Sequence, residues 1–209
     1  MVKIEEYKEE RKIMKNILIM GTGRAGKTTT SKMLKEKYKE YNLVHSDSVK
    51  WGLIRGANKE EYFRTHIDEQ KEFEHGEYFQ RAQLEIFKSL CDKNKDKNKY
   101  GYIWESGQLT PKIVHELIDF DKTVVVCLGL GNFDVEDVIN LCREHDVPED
   151  WSYNLPYEDL KTHAEKWIET NEEFKRDCSK YGIKYFDTTK DRIKTLNKVI
   201  EYISNQMQK

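Results

Sequence analysis

The sequence predicts one α/β domain built on a parallel β-sheet with helices on both faces. Three observations support this fold class. The chain has 209 residues, which suffices for one sizeable domain. Short apolar runs rich in β-branched residues alternate with longer amphipathic stretches, which is the pattern of strands joined by crossover helices. The runs are almost continuously apolar, as expected for parallel strands that are buried on both faces.

Five runs are predicted to be strands. They cover residues 16–20, 42–45, 100–104, 123–128 and 183–186. The segments between them carry apolar residues at three- and four-residue spacings, which predicts helices. These helices cover residues 27–41, 67–91, 111–119 and 157–181, and a last one carries apolar residues from Ile193 to Ile203. Pro111 after Thr110 is typical of a helix start, and Gly182 is typical of a helix end.

Three segments lie outside this alternation. Residues 1–15 form a charged N-terminal arm that is dense in Lys and Glu. Residues 92–99 contain no apolar side chain, so we expect a solvated loop before the third strand. Residues 129–182 place about 50 residues between the fourth and fifth strands. Because one crossover helix needs fewer, this length predicts an additional helical insertion.

The composition excludes several classes of partner. Hydrophobic residues make up 37% of the chain and charged residues 35%, and the net charge of −2 excludes the broad basic surface of sequence-independent nucleic-acid binding. The apolar runs are much shorter than the roughly 18 to 20 residues of a membrane span, so no membrane partner is expected. Four cysteines without a CxxC pair indicate buried thiols rather than disulfides, and hence a reducing cytoplasm. We expect a monomer or a homodimer.

The strongest motif follows the first strand, where residues 21–28 match the pattern GxxxxGK[ST]. In this pattern successive backbone N–H groups wrap phosphate oxygens, and the glycines leave room for them. Lys27 would bring a positive charge to the β- and γ-phosphates, and Thr28 would offer its hydroxyl to Mg²⁺. The motif therefore predicts a site for ATP or another nucleoside triphosphate. The predicted nucleotide-binding residues are Gly21, Thr22, Gly23, Arg24, Ala25, Gly26, Lys27, Thr28 and Thr29.

The same glycines also match GxGxxG, the dinucleotide-binding pattern. Asp47 stands 21 residues after Gly26, at the end of the second strand, where that pattern has an acidic residue. An NAD-dependent oxidoreductase is therefore an alternative. It is less favoured, because hydride transfer does not require the Lys27 and Thr28 that follow the last glycine.

Two carboxylates are predicted at the carboxyl ends of strands. Asp47 follows the second strand and Glu105 follows the third. Ligands of open α/β sheets bind at this edge, so both carboxylates should face the phosphate loop. The chain lacks the NKxD motif of Ras-type GTPases, and its fourth strand does not end in the Asp of motor-type ATPases. These absences favour phosphotransfer to a small acceptor, and a nucleotide-hydrolysing switch or regulatory ATP-binding module that acts through a partner is the alternative.

A family resemblance rests on the order of these features. The phosphate loop, Asp47, a long helix and the string Ile103-Trp104-Glu105-Ser106-Gly107-Gln108-Leu109-Thr110-Pro111 together resemble the small P-loop kinases of nucleosides, nucleotides and other small molecules, in particular zeta-toxin-like or adenylate-kinase-like members. The resemblance implies the P-loop NTPase fold, with three α/β/α layers and a five-stranded parallel sheet of order 2-3-1-4-5. It also implies a helical lid between the fourth and fifth strands, where residues 129–182 lie.

The resemblance further implies roles for single residues. Asp47 would take the proton of the acceptor hydroxyl and Glu105 would hold Mg²⁺ through water, or the two roles would be exchanged. The predicted metal ligands are therefore Thr28, Asp47 and Glu105, and Lys27 is predicted to be catalytic. Thr188, together with Thr189, would contact the nucleotide base.

Cationic side chains should surround the phosphates, because phosphoryl transfer depends on neutralising their charge. Arg55, Arg64 and Arg81 lie in the region that would bind the acceptor, and Arg55 and Arg81 are the predicted acceptor ligands together with the two carboxylates. Arg143 and Arg176 lie in the segment that would form the lid. Of these two, Arg143 is predicted to be catalytic.

Overall fold

The structure, a computed structural model, describes residues 14–92 and 100–208. The strands are β1 (Asn16–Gly21), β2 (Asn42–His45), β3 (Tyr102–Ser106), β4 (Thr123–Gly129) and β5 (Lys184–Asp187). The helices are α1 (Lys27–Lys37), α2 (Ser46–Gly56), α3 (Glu60–Thr65), α4 (Ile67–His75), α5 (Glu77–Asp92), α6 (Pro111–Leu117), α7 (Val135–His145), α8 (Tyr157–Tyr181) and α9 (Arg192–Gln206). Most of the predicted arm at 1–15 and of the predicted loop at 92–99 lies outside the described residues.

The five strands form one parallel sheet in the order β2-β3-β1-β4-β5. This arrangement confirms the predicted fold class and strand order. β1 lies at the centre, where Ile19 stands opposite Glu105 of β3 and Val126 of β4. Because all strands are parallel, their carboxyl ends meet at one edge of the sheet. The loops after β1 and β3 and the start of α2 therefore come together there.

The side chains of β1 alternate between two hydrophobic cores, as the two-residue period of a strand requires. Leu18 and Met20 pack with side chains of α5, α6 and α8 on one face of the sheet. Ile17 and Ile19 pack with side chains of α1 and α9 on the other face. All four residues are fully buried. The protein therefore has the three predicted α/β/α layers.

The segment 129–182 holds α7 and α8. Leu160 and Ala164, in the first half of α8, pack on α7 in a third hydrophobic cluster. Phe174 and Cys178, in the second half, belong instead to the core that contains Leu18. The second half of α8 thus packs on the main core, between β4 and β5 along the chain, and the boundaries 129–182 of the insertion stay a prediction. The lid role of the rest of the segment stays a prediction.

The single helix predicted over 67–91 is wrong, because the chain forms two helices there. α4 ends and α5 begins on either side of Gly76, whose backbone is extended, with φ −65° and ψ 150°. A Cβ on Gly76 would stand 2.6 Å from the carbonyl oxygen of Glu72. The break lets α4 leave the direction of α5 and place Glu74 beside Lys50 of α2, with 3.3 Å between their charged atoms.

Other local signals are confirmed. Thr110 caps α6 and Pro111 is its first residue, and Gly182 ends α8 in the left-handed conformation with φ 69°. All four cysteines are free, and three of them are buried. No helix in the described part of the chain combines the length and the apolar surface that crossing a bilayer needs.

Candidate nucleotide-binding site

The phosphate loop joins β1 to α1 at the centre of the sheet edge. Gly21 and Gly26 have positive φ values of 150° and 89°, and Gly26 caps α1. A Cβ on Gly21 would collide with the backbone of Leu128 in β4, so this position has room only for glycine. Arg24 also has a positive φ, 60°, although it is not glycine. The loop therefore alternates backbone conformations, as loops that turn several N–H groups towards an anion do.

Lys27 lies at the start of α1 and points back across the loop. Its Nζ donates a hydrogen bond of 2.6 Å to the carbonyl oxygen of Thr22. Burial lowers the pKa of Lys27, while the nearby carboxylates of Glu105 and Asp47 act in the opposite direction. No carboxylate in the described part of the chain forms an ion pair with Lys27, so its charge is available to a ligand.

Glu105 reaches the site from within β3 rather than from beyond its end. It is 8% exposed, and its neighbour in β2 is His45. The two side chains meet at 2.7 Å, between Glu105 Oε2 and His45 Nδ1. Glu105 is therefore a fixed carboxylate that faces Lys27 from the adjacent strand.

Asp47 lies in the first turn of α2, not at the end of β2 as the sequence predicts, because α2 begins directly after His45. Its side chain is 68% exposed. Gln108, in the loop after β3, donates from Nε2 to Asp47 Oδ1 at 2.8 Å. Lys50 Nζ, one turn further along α2, lies 3.4 Å from the same oxygen. Asp47 is thus oriented by two donors while most of its surface faces solvent.

Gln108 is itself held by both neighbouring segments. Its Oε1 accepts a hydrogen bond of 2.7 Å from the Ser46 hydroxyl and one of 3.2 Å from the Ser106 hydroxyl. Ser46 and Ser106 are both buried. Sequence reasoning missed the roles of Gln108, Ser46 and His45, although each lies within three residues of a predicted carboxylate along the chain. Their juxtaposition depends on the pairing of β2 with β3, which no local pattern contains.

The structure does not bring the predicted acceptor arginines to the loop. Arg55 pairs with Glu60 at 3.2 Å, and Arg64 pairs with the same carboxylate at 3.6 Å. Arg81 pairs with Glu77 and Glu116 on the surface. In the described part of the chain these guanidinium groups have no contact with the phosphate loop, so their acceptor roles stay predictions.

The predicted lid arginines are also engaged elsewhere. Arg143 donates to the carbonyl oxygens of Tyr153 and Leu155, at 3.0 and 2.6 Å, and so fixes the loop between α7 and α8. Arg176 pairs with Asp177 at the surface. The catalytic role of Arg143 stays a prediction, and in the structure this side chain stabilises the loop between α7 and α8.

Two other arginines do lie at the phosphate loop. Arg24 pairs with Asp146 at 2.9 Å. Arg192, the first residue of α9, donates to the carbonyl oxygen of Arg24 at 2.9 Å. Burial and the neighbouring charge of Arg24 lower the pKa of Arg192. The sequence predicted Arg24 as a nucleotide-binding residue without its ion pair, and it missed Arg192, because the contact of α9 with the loop is not a sequence pattern.

The predicted base-contact residues follow β5. The Thr188 hydroxyl is buried and donates to the carbonyl oxygen of Gly129 at 2.9 Å. The Thr189 hydroxyl donates to Asp187 at 2.6 Å. Both hydroxyls donate their proton inside the protein. The base-contact role stays a prediction.

The residues predicted to hold Mg²⁺ carry the kinds of oxygen atom that this ion prefers. Thr28 is exposed in the first turn of α1, and Glu105 and Asp47 both act electrostatically on Lys27 beside it. Hydroxyl and carboxylate oxygens suit Mg²⁺, which usually takes one or two carboxylates and completes its shell with phosphate and water. Among residues 14–92 and 100–208, no group of three or more His, Cys, Asp or Glu is arranged to hold a metal ion. The donor set fits an ion that is bound mainly through nucleotide phosphates.

Solved structures share this architecture. Shikimate kinase from Bacteroides thetaiotaomicron aligns with a TM-score of 0.54 and 14% identity, over 94% of this chain and 99% of that chain. The chain has the P-loop NTPase fold. Shikimate kinase from Aquifex aeolicus aligns with a TM-score of 0.48 and 16% identity, over 90% of this chain and 96% of that chain. No protein-family model and no curated protein matches the sequence.

The strand order also bears on the oxidoreductase alternative. In the dinucleotide-binding fold β2 lies directly beside β1, in the order 3-2-1-4-5-6. Here β3 lies between them. Glu105 on β3 therefore takes the place next to the phosphate loop, and Asp47 is one strand further away. The structure does not support a dinucleotide site.

Proposed function

We propose that the protein is an ATP- and Mg²⁺-dependent phosphotransferase, a P-loop kinase that moves the γ-phosphate of a nucleoside triphosphate to a small acceptor. The acceptor carries a hydroxyl or a phosphate group. The observation that carries the proposal is the convergence of Lys27, Glu105 and Asp47 at one edge of the sheet, where both carboxylates act on the lysine charge. Transfer to an acceptor requires carboxylates beside the phosphate loop.

The donor side of the reaction uses the phosphate loop. The loop N–H groups and the positive end of α1 would bind the β-phosphate. Lys27, which donates to Thr22 in the present arrangement, would turn its remaining N–H donors to oxygens of the transferring group. The partial burial that lowers the pKa of Lys27 also reduces the screening of its charge by water, which strengthens the attraction for phosphate.

The acceptor side uses the two carboxylates differently. Asp47 is exposed, and Gln108 fixes its Oδ1. This leaves Oδ2 free to accept the proton of an acceptor hydroxyl. Glu105 is buried, contacts His45 and acts on the charge of Lys27, which suits a carboxylate that holds an ion or its water. The geometry therefore supports Asp47 as the base and Glu105 as the metal ligand, rather than the exchanged assignment.

Part of the phosphate charge would be neutralised by Mg²⁺. Thr28 and Glu105 would hold it, with Asp47 at the edge of the same site. The acceptor is a small molecule in this proposal, and the protein acts as a monomer or homodimer in the cytoplasm. The chemical class of the acceptor is best found with a thermal-shift panel of nucleosides, nucleotides, sugars and hydroxy acids, run with a non-hydrolysable ATP analogue.

The variant Asp47→Asn tests the proposal once the panel has supplied an acceptor. The amide keeps the shape of the carboxylate and cannot take a proton, so we expect phosphotransfer to fall by about a hundredfold or more. The dissociation constant of Mg·ATP should stay within about threefold, because Asp47 faces the acceptor. Glu60→Gln, which removes a surface carboxylate beside Arg55, is the matched control. Unchanged turnover in Asp47→Asn would remove Asp47 from the role of base.

A further inference from the structure

Arg24 combines two features that rarely occur together in one residue. Its backbone has φ 60°, in the left-handed region, which costs residues other than glycine about 1 to 2 kcal/mol. Its side chain is fixed by a nearly buried ion pair outside the loop. A disfavoured backbone conformation persists only where the surroundings impose it. We therefore looked for the contacts that hold Arg24 in this conformation, and its side chain supplies the first of them.

The anchor is the end of α7. Asp146, the residue after the last turn, has a side chain that is 3% exposed. Arg24 Nη2 donates to Asp146 Oδ2 at 2.9 Å, and Arg24 Nη1 lies 2.9 Å from Oδ1. The buried hydroxyl of Ser152 contacts Arg24 and donates to Oδ2 at 2.6 Å. Asp146 Oδ1 accepts no hydrogen bond from the described residues, so the guanidinium charge is what compensates it.

Two further contacts hold the same turn of the loop. Arg192 donates to the Arg24 carbonyl oxygen, which fixes the orientation of the peptide unit that follows Arg24. The Trp167 ring of α8 lies directly against Gly23, the residue before Arg24. The turn at residues 23–24 is therefore held from α7, α8 and α9.

We propose that Asp146 is a positioning residue for nucleotide binding. Its carboxylate holds the Arg24 side chain, and through it keeps the phosphate loop in the left-handed turn that directs backbone N–H groups to the phosphates. This inference rests on the proposed nucleotide-binding role of the loop. Arg24 then acts through its backbone conformation, and its guanidinium group pairs with Asp146 rather than with the phosphates.

The two substitutions Arg24→Gly and Arg24→Ala separate conformation from charge. Both remove the guanidinium. Glycine adopts positive φ at no steric cost, whereas alanine retains the penalty and has lost the anchor that imposed it. We expect Arg24→Gly to bind Mg·ATP about tenfold more tightly than Arg24→Ala, since about 1.4 kcal/mol corresponds to tenfold. Equal affinities of the two variants would overturn the proposal, because the left-handed turn would then not affect binding.

Asp146→Asn tests the other end of the contact. With Arg24 present, we expect the dissociation constant of Mg·ATP to rise about tenfold, because the turn is released. In the Arg24→Gly background the same change should alter it by less than about twofold. Asp150→Asn is the matched control, since Asp150 lies on the same loop but 3.9 Å from Arg24 and is partly exposed. Asp146→Asn with wild-type affinity, or an equal loss in both backgrounds, would overturn the proposal.

Titration calorimetry with a non-hydrolysable ATP analogue and Mg²⁺ measures these affinities, and unfolding without nucleotide shows whether each variant is folded. If Asp146→Asn does not fold, the comparison of Arg24→Gly with Arg24→Ala decides alone, because neither variant changes Asp146. A wild-type protein that binds no Mg·ATP contradicts the proposed function itself, and the role of Asp146 falls with it. Wild-type binding with equal Arg24→Gly and Arg24→Ala affinities contradicts the role of Asp146 only.

Discussion

Replacing Gly23 with alanine tests how closely α8 packs on the phosphate loop. The backbone of Gly23 is not in the left-handed region, so alanine meets no conformational penalty there and the cost is steric. A Cβ would stand 2.7 Å from Trp167 Cδ1 and nearer still to Nε1 and Cε2. Ordinary contact begins at 3.4 Å, so the indole must move by roughly 1 Å. Overpacking of this kind costs about 1 to 3 kcal/mol of folding free energy.

The assay is a double-mutant cycle in urea denaturation. For a chain of this length, each kcal/mol lowers the melting temperature by about 2 to 4 °C, so the effect of Gly23→Ala is measurable by heat as well. In a Trp167→Leu background the ring is absent, and Gly23→Ala should cost less than about 0.5 kcal/mol. An equal loss of stability in both backgrounds would refute the contact between Gly23 and Trp167.

Two further predictions concern single side chains. Gln108→Met removes the amide that fixes Asp47, so we expect turnover to fall about tenfold with little change in Mg·ATP affinity. Steady-state kinetics with the acceptor measures both quantities, and unchanged turnover would show that Gln108 has no part in catalysis. Partial burial against Trp151 and Trp167, together with the charge of Lys71, lowers the pKa of His163 below its ordinary 6.5, so the unfolded chain binds more protons than the folded one between these two values. The stability that His163 contributes is complete above pH 6.5 and is lost as the pH falls towards the lowered pKa. Urea denaturation across this interval should show a smaller loss in His163→Gln, and an identical pH dependence would contradict the assignment.

The parts of the fold that were predictable are those that short stretches of sequence encode. The buried strands are continuous apolar runs, and the phosphate loop has a fixed spacing of glycines before Lys27. The break at Gly76 was not predictable, because a single glycine inside a helical pattern is often tolerated. At Gly76 the extended backbone lies so close to the Glu72 carbonyl oxygen that a Cβ would collide with it, and this contact is visible only in the structure.

The candidate site likewise contains residues that were predictable from the sequence and residues that were not. Lys27, Asp47 and Glu105 were predictable because each stands at a position that strand order alone brings to one edge of the sheet. The partners of these residues were not, since the contact of Glu105 with His45 depends on which strands are neighbours. The arginines show the same limit. Arg143 was predicted at the phosphates, and the structure engages it with backbone carbonyl groups that lie 10 and 12 residues away in sequence.

The most direct test of nucleotide binding by the phosphate loop is thermal unfolding of the wild type and of Lys27→Ala with and without Mg·ATP. At a ligand concentration about 100 times the dissociation constant, binding stabilises the folded state by about 2.7 kcal/mol. We predict this stabilisation for the wild type, a much smaller one for Lys27→Ala, and none for either protein with NAD(H). Equal stabilisation of both proteins by Mg·ATP, or stabilisation of the wild type by NAD(H) alone, would contradict the account.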